Sequence, residues 1–221
     1  MAAVDDQQLW DFYNGLLMSP DVERIRKLLV RYDLFRLSLD IPGDVVECGV
    51  FKGAGLMYWL KLLHIFSSGS TKRVVGFDTF GSFADSLLDY ERKTAGAYVT
   101  ASNFEGVDPE DIRRLAEAAG LANRLDLVAG DLGETGPKYT ADNPGFRISL
   151  LHLDLDAYAG TKAALESLWP RVSRGGIVVL DEYGARGWGE SQAVDEYFAG
   201  QSVEIRAVPN ASQPTAYIVK P

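Results

Sequence analysis

Seven acidic side chains stand at the ends of five apolar runs. Glu47 comes just before the end of residues 44–50, and Asp78 closes residues 73–78. Asp131 follows residues 125–129. Asp154 and Asp156 end the run that starts at Ile148, and Asp181 with Glu182 follows residues 177–180. One acid at the end of a strand is unremarkable. Acids at five successive ends crowd like charge together, which is costly unless something cationic joins them. A sulfonium group and a metal ion would each do so.

The first run and its turn read Val45-Val46-Glu47-Cys48-Gly49-Val50-Phe51-Lys52-Gly53. A dinucleotide-binding turn requires Gly-x-Gly-x-x-Gly, and the glycines here fall at 49, 53 and 55. An acid two residues before the first glycine would repel a pyrophosphate. It suits a cofactor that carries a sulfonium and an ammonium. Asp78 has the place to hold two ribose hydroxyls, because a carboxylate accepts several hydrogen bonds. Asp131, with Leu132 beside it, is placed to hold and cover an adenine.

Asp154, Asp181 and Glu182 are the candidate metal ligands, since hard cations such as magnesium take oxygen donors. The plainer alternatives are solvated strand ends and helix caps. His152 shares a strand face with Asp154; it is a ligand, a base, or a satisfied histidine packed beneath the site. His64 and Cys48 read as structural. Trp188, in the loop from Gly184 to Gly189, is placed to wall an acceptor pocket.

These residues need elements to hold them. Residues 1–40 read as helical, with Ser19-Pro20-Asp21 as a start signal and Ile25, Leu28, Leu29, Tyr32 and Phe35 as an apolar face. Strands follow at 44–50, 73–78, 125–129, 148–155 and 177–180, with helices at 56–66, 108–119, 161–172 and 191–198. Residues 79–100 lack a clear period, and part of them, with the N-terminal helix, is placed to cover the site. Residues 137–146 read as a connection, and Arg174-Gly175-Gly176 as a turn. Residues 203–208 and 215–219 read as an edge hairpin. Alternating apolar strands and helices imply an α/β, doubly wound, mostly parallel sheet, taken as one domain: a helical extension over 1–40 and a Rossmann-like core over 41–221.

The chain has 221 residues and a formal net charge of -9. No dense Lys and Arg stripe is present, so nucleic acid is an unexpected partner, and an acidic surface does not favour anionic lipid. A single cysteine forms no internal disulfide. Without a recognisable signal peptide or a spanning run of about 20 apolar residues, the expected location is the cytoplasm.

Three stretches together resemble the macrocin O-methyltransferase family of sugar O-methyltransferases. They are Gly43 to Gly53, Gly76-Phe77-Asp78-Thr79-Phe80, and Leu153 to Lys162 continued by Pro170 to Gly176 and Asp181-Glu182-Tyr183-Gly184. The resemblance implies S-adenosylmethionine as donor, held at Glu47, Gly49, Phe51, Lys52, Gly53, Asp78, Thr79, Phe80, Asp131, Leu132 and Asp154. It implies Mg2+ or a similar ion at Asp154, Asp181 and Glu182, although Glu182 departs from the Asp found there in many members. Of Asp154 and Asp156, one is the nearer ligand and the other the general base, with Asp156 the choice for base. Tyr158, Tyr183 and Trp188 are candidate acceptor contacts. The resemblance also implies a sugar or glycoside hydroxyl as acceptor and a homo-oligomeric assembly. The rival readings are a catechol or phenol acceptor, a nicotinamide-dependent dehydrogenase, and a non-catalytic binding module.

Overall fold

The structure is a computed structural model that describes residues 5–81, 86–102, 106–209 and 212–221. Two helices, α1 (Asp6–Met18) and α2 (Glu23–Leu37), precede β1 (Asp44–Cys48). Then come α3 (Ala54–Phe66), β2 (Val74–Asp78), α4 (Asp89–Ser102), α5 (Pro109–Ala118), β3 (Leu125–Ala129), α6 (Leu132–Asp142) and β4 (Ile148–Leu153). The chain ends with α7 (Tyr158–Leu168), β5 (Val172–Leu180), α8 (Glu190–Tyr197), β6 (Ile205–Ala207) and β7 (Ala216–Val219).

The strands form one seven-stranded sheet in the order β3-β2-β1-β4-β5-β7-β6. The first five are parallel, and β7 runs antiparallel between β5 and β6. Successive strand residues point to opposite faces, so two cores form. On one face Val46, Cys48, Leu151 and Leu153 pack with Leu132 of α6, Leu165 of α7 and Val194 of α8. On the other, Val45 and Leu150 pack with Phe35 of α2, Trp59 of α3 and Ile112 of α5. This is the doubly wound, Rossmann-like arrangement expected from the alternation of elements. The strand order reverses between β1 and β4, and there a cleft opens beyond the carboxyl ends of the strands.

Several expectations fail locally. Residues 89–102 are helical, although their sequence shows no clear apolar period; the rest of the expected cover, 82–85, lies outside the described residues. Residues 132–142 are also helical rather than a connection, with Asp131 as N-cap and Pro137 inside. The cap and the packing of Leu132, Gly136 and Thr140 outweigh the single backbone bond that a proline removes. Arg174-Gly175-Gly176 lies within β5, not between elements. Ile148 pairs with Val172 but Leu150 with Ile177, and the extra residues bulge where Gly175 takes φ 78°.

The N-terminal helices differ most. Ser19 ends α1, and Asp21 accepts hydrogen bonds from the Glu23 and Arg24 amides at the start of α2. Leu28 and Leu29, expected to face the domain, are exposed. The buried residues of α2 are Arg31, Leu34 and Phe35. From residue 5 to residue 30 no side chain is buried. Among the described residues no helix is long and apolar enough to cross a membrane.

Candidate functional site

The cleft at the strand ends has a volume of about 580 Å3, and its lining includes Glu47, Asp78, Asp131, Asp154, Asp156 and Glu182. Thus one space gathers six of the seven acids singled out above, a size typical of small-molecule sites. The seventh, Asp181, is fully buried directly behind it.

Three non-glycine residues among those described have positive φ: Phe51 at 53°, Phe80 at 55° and Asp156 at 61°. Each lies two or three residues past a strand end, after β1, β2 and β4 respectively. Such backbone costs about 1–3 kcal/mol and persists where the surroundings enforce it, commonly at functional sites. Asp78 supplies part of that enforcement. Its Oδ2 accepts from the amides of Val50 (2.6 Å) and Phe51 (2.9 Å), and its Oδ1 from that of Phe80 (2.7 Å). Thr79 lines the same wall. The β1 turn needs Gly49, at φ 90°, because a Cβ there would lie 1.8 Å from the Asp154 carbonyl oxygen. Gly53, at φ 84°, begins α3. The Lys52 ammonium turns away to the Ser102 carbonyl.

Glu47 is buried. Its Oε1 accepts from Trp59 Nε1 at 3.1 Å and lies 3.1 Å from His152 Nδ1. Strand register explains the second contact, since Glu47 sits opposite His152. Its Oε2 is buried with no hydrogen-bond partner among the described residues. A carboxylate oxygen orphaned at a cleft is a place for a cationic donor group. Asp131 caps α6 through the Gly133 amide at 2.8 Å, and Leu132 lines the cleft beside it.

On the β4–β5 side the acids lean on side chains. His152 Nε2 lies 3.0 Å from Asp181 Oδ1, and Lys27 Nζ lies 3.1 Å from Asp181 Oδ2. Arg31 donates to Asp154 at 3.1 Å, and its guanidinium lies 3.8 Å from Asp181 and 3.9 Å from Glu47. Gln213 donates to Glu182. The cations do not balance the acids. Burial, then Asp154, Glu182 and Asp181, push the Asp156 carboxyl up to about 8. Burial, then Asp181 and Asp154, push Glu182 up to about 7. Asp154 rises to about 6 through burial and Asp181. Burial opposes ionisation of Asp181 as well, yet the hydrogen bond and charge of His152, with Lys27 and Arg31, hold it below the usual carboxylate range. For His152, burial and Arg31 work against the charged form, but the hydrogen bonds to Asp181 and Glu47 prevail and raise it.

The oxygen-rich donor set and the surplus negative charge fit a hard cation. Among the described residues, the potential ligand atoms of His152, Asp154 and Asp181 lie within 4.8 Å of one another. Glu182 stands outside that group.

Two buried glutamates that the sequence reading missed hold this side in place. Glu190 Oε1 accepts from the Glu182 amide at 3.0 Å. Glu91 Oε1 accepts from the Tyr158 amide at 2.7 Å, just after Asp156. Arg31, Lys27, Trp59 and Gln213 were also missed. Their partners are up to 186 residues away in sequence, and no local pattern announces such contacts. Of the candidate acceptor contacts, the Tyr158 hydroxyl donates to Glu196 and the Tyr183 hydroxyl to Asp195. Neither lines the cleft. Trp188 packs edge-on against Tyr98, with ring centroids 6.3 Å apart, and Tyr98 lines the cleft. His64 is exposed, and Cys48 is buried in the core.

The chain is similar to several characterised proteins. It is 30% identical over 149 residues to the 8-demethyl-8-(2,3-dimethoxy-alpha-L-rhamnosyl)-tetracenomycin-C 4'-O-methyltransferase of Streptomyces olivaceus, covering 66% of this chain and 55% of that protein. It is 29% identical over 148 residues to the mycinamicin III 3''-O-methyltransferase of Micromonospora griseorubida, covering 65% and 56%. The chain thus spans little more than half the length of these relatives. Among solved structures it is similar to the calicheamicin methyltransferase CalS11, with 28% identity and a TM-score of 0.80 over 99% of this chain and 94% of that one. The apo form of CalS11, described as a TDP-rhamnose 3'-O-methyltransferase, gives 29% identity and a TM-score of 0.72, covering 99% and 87%. Residues 24–208 match the macrocin-O-methyltransferase (TylF) family, to which this chain belongs.

Proposed function

We propose that this protein is an S-adenosylmethionine-dependent O-methyltransferase acting on a sugar hydroxyl of a small-molecule glycoside or activated sugar. Family membership and the sugar acceptors named for its relatives support the reaction class. The observation that carries the donor is the orphaned, buried Oε2 of Glu47, which shares a cleft with Asp78 and Asp131.

The donor supplies an electrophilic methyl on a sulfonium. Glu47 offers its free oxygen to the donor's ammonium. Asp78 still has acceptor capacity for ribose hydroxyls beyond its three amide bonds, and Asp131 with Leu132 borders the adenine. Gly49, Phe51, Gly53, Thr79 and Phe80 shape the turn that presents these groups. Lys52 borders the site from its anchor on Ser102. A divalent cation, held by Asp154, Asp181 and Glu182, would lower the pKa of the acceptor hydroxyl. Asp156 lines the cleft between the two sides. Its carboxyl, raised to about 8 without ligands, ionises when the cationic donor and ion join the surplus acids, and it then takes the proton. Much of the rate gain comes from orienting acceptor and donor together. Trp188 and Tyr98 border the acceptor end, with Tyr158 and Tyr183 behind. We take the protein to act as one domain with a helical N-terminal extension, as a homo-oligomer in the cytoplasm.

Calorimetric titration with S-adenosylhomocysteine, with and without magnesium, tests this reading. Micromolar binding is expected, followed by turnover in a screen of sugar acceptors. No binding in either condition would overturn the donor assignment.

A further inference from the structure

Helix α2 puts charge where an apolar helix face was expected. Lys27 and Arg31, one turn apart, both point into the acidic side of the cleft. Like charges at that spacing weaken a helix, so the arrangement needs compensation, and Asp181 and Asp154 supply it. The consequence lies at Asp181. Its Oδ1 faces His152 Nε2 at 3.0 Å and its Oδ2 faces Lys27 Nζ at 3.1 Å. Lys27 also reaches Gln213 Oε1 at 3.4 Å, and Gln213 in turn holds Glu182. One ammonium therefore joins, directly or through one amide, both acids after β5 that are proposed as metal ligands.

We propose that Lys27 is an internal stand-in for the divalent cation, so that an ion binds Asp181 and Glu182 only when Lys27 withdraws. A dication and an ammonium cannot share Asp181 Oδ2 without strong repulsion in this poorly solvated place. Withdrawal is feasible because no side chain between residues 5 and 30 is buried. The first half of α2 is held by Lys27, by the Tyr58 hydroxyl, which donates to the Leu28 carbonyl at 2.7 Å, and by the exposed Ser212 hydroxyl, which donates to Glu23 at 3.1 Å. Arg31, Leu34 and Phe35 anchor the second half. Ion binding and seating of the first half of α2 are thus alternatives. The inference rests on the proposed metal role of Asp181 and Glu182.

The test is Mn2+ binding to the full chain, followed by the electron paramagnetic resonance of the free ion. Lys27→Met should bind Mn2+ at least tenfold more tightly than wild type, whereas Lys27→Arg, which keeps the charge, should stay within threefold of it. Equal affinity in wild type and Lys27→Met, or no binding by either, would overturn the proposal. A second measurement needs no variant. Millimolar Mn2+ should speed acetylation of Lys27 by acetic anhydride several-fold, read by mass spectrometry, and leave exposed Lys61 unchanged. An unchanged Lys27 rate also overturns it. S-adenosylhomocysteine titration of the same samples keeps the two ideas apart. If it binds while Mn2+ behaves contrary to expectation, only the Lys27 proposal falls. If it does not bind, the methyltransferase reading falls as well.

Discussion

The two sides of the cleft hold their acids by different means. On the β1–β2–β3 side, backbone amides do the holding: three for Asp78 and the α6 N-terminus for Asp131. Such donors are fixed by the fold and carry no net charge. On the β4–β5 side, Asp154, Asp181 and Glu182 depend on Arg31, Lys27, His152 and Gln213. Asp154, Asp156 and Glu182 there remain raised, first by burial and then by one another and Asp181, whose charge the nearby cations do not offset. The β1–β2–β3 side, proposed to hold the donor, is therefore preformed, while the β4–β5 side is left short of positive charge.

The largest expected effect comes from removing the hub of the second side. Asp181→Ala strands Lys27 and His152 and should cost about 3–5 kcal/mol of stability, as for breaking a buried ion pair. Metal-dependent turnover should vanish, while S-adenosylhomocysteine still binds within a few-fold of wild type. Loss of both together would show that the two sides are not separable. Asp156→Asn keeps the shape but removes the proposed base. It should lower kcat by about 10²–10⁴ with little change in donor affinity, measured with an acceptor found by screening.

The preformed side should answer in the opposite way. Asp78→Ala leaves the Val50, Phe51 and Phe80 amides without their shared acceptor and removes a partner for the donor. Donor affinity should fall by about 2–3 kcal/mol, roughly a hundredfold, measured by calorimetry. Mn2+ binding should hardly change.

Acidity distinguishes the sides again. A carboxyl whose folded value lies above its ordinary one holds a proton that the unfolded chain has already released. Its stabilising contribution is therefore present at low pH and is lost as pH rises through the folded value. Asp156 at about 8 and Glu182 at about 7 act this way, and raised His152 has the same sign. The melting temperature of the ligand-free protein should fall by several degrees between about pH 5 and pH 8, and the slope should flatten in Asp156→Asn. A flat or rising profile in wild type would contradict the charge surplus.

The sequence made the preformed side more legible than the other. Glu47, Asp78 and Asp131 belong to short strand-turn units, where a residue's role follows from its neighbours. The sheet and its edge hairpin were legible for the same reason, as apolar runs bounded by turns. Lys27, Arg31 and Gln213 meet their partners only after the chain has folded back over more than a hundred residues. The apolar period of α2 also misled, because Leu28 and Leu29 look outward while Arg31 is buried beneath the helix. Glu190 and Glu91 were not legible as parts of the site either: Glu91 also takes the nearby Leu88 amide, but its contact with the Tyr158 amide spans 67 residues.

Glu47 belongs to both sides, and the smallest effect is expected there. One oxygen joins the buried group of Trp59 and His152, and the other is buried with no hydrogen-bond partner among the described residues. Glu47→Gln keeps the volume and gives up the charge. If its amide oxygen stays on Trp59, the amide nitrogen must face the donor's ammonium, and donor affinity should fall by about 1.5 kcal/mol, roughly tenfold. The His152–Asp181 contact is untouched, so Mn2+ affinity should stay within threefold. A larger change in Mn2+ than in donor affinity would mean that Glu47 serves the acceptor side through His152, and that the boundary between the two sides lies at β2 rather than between β1 and β4.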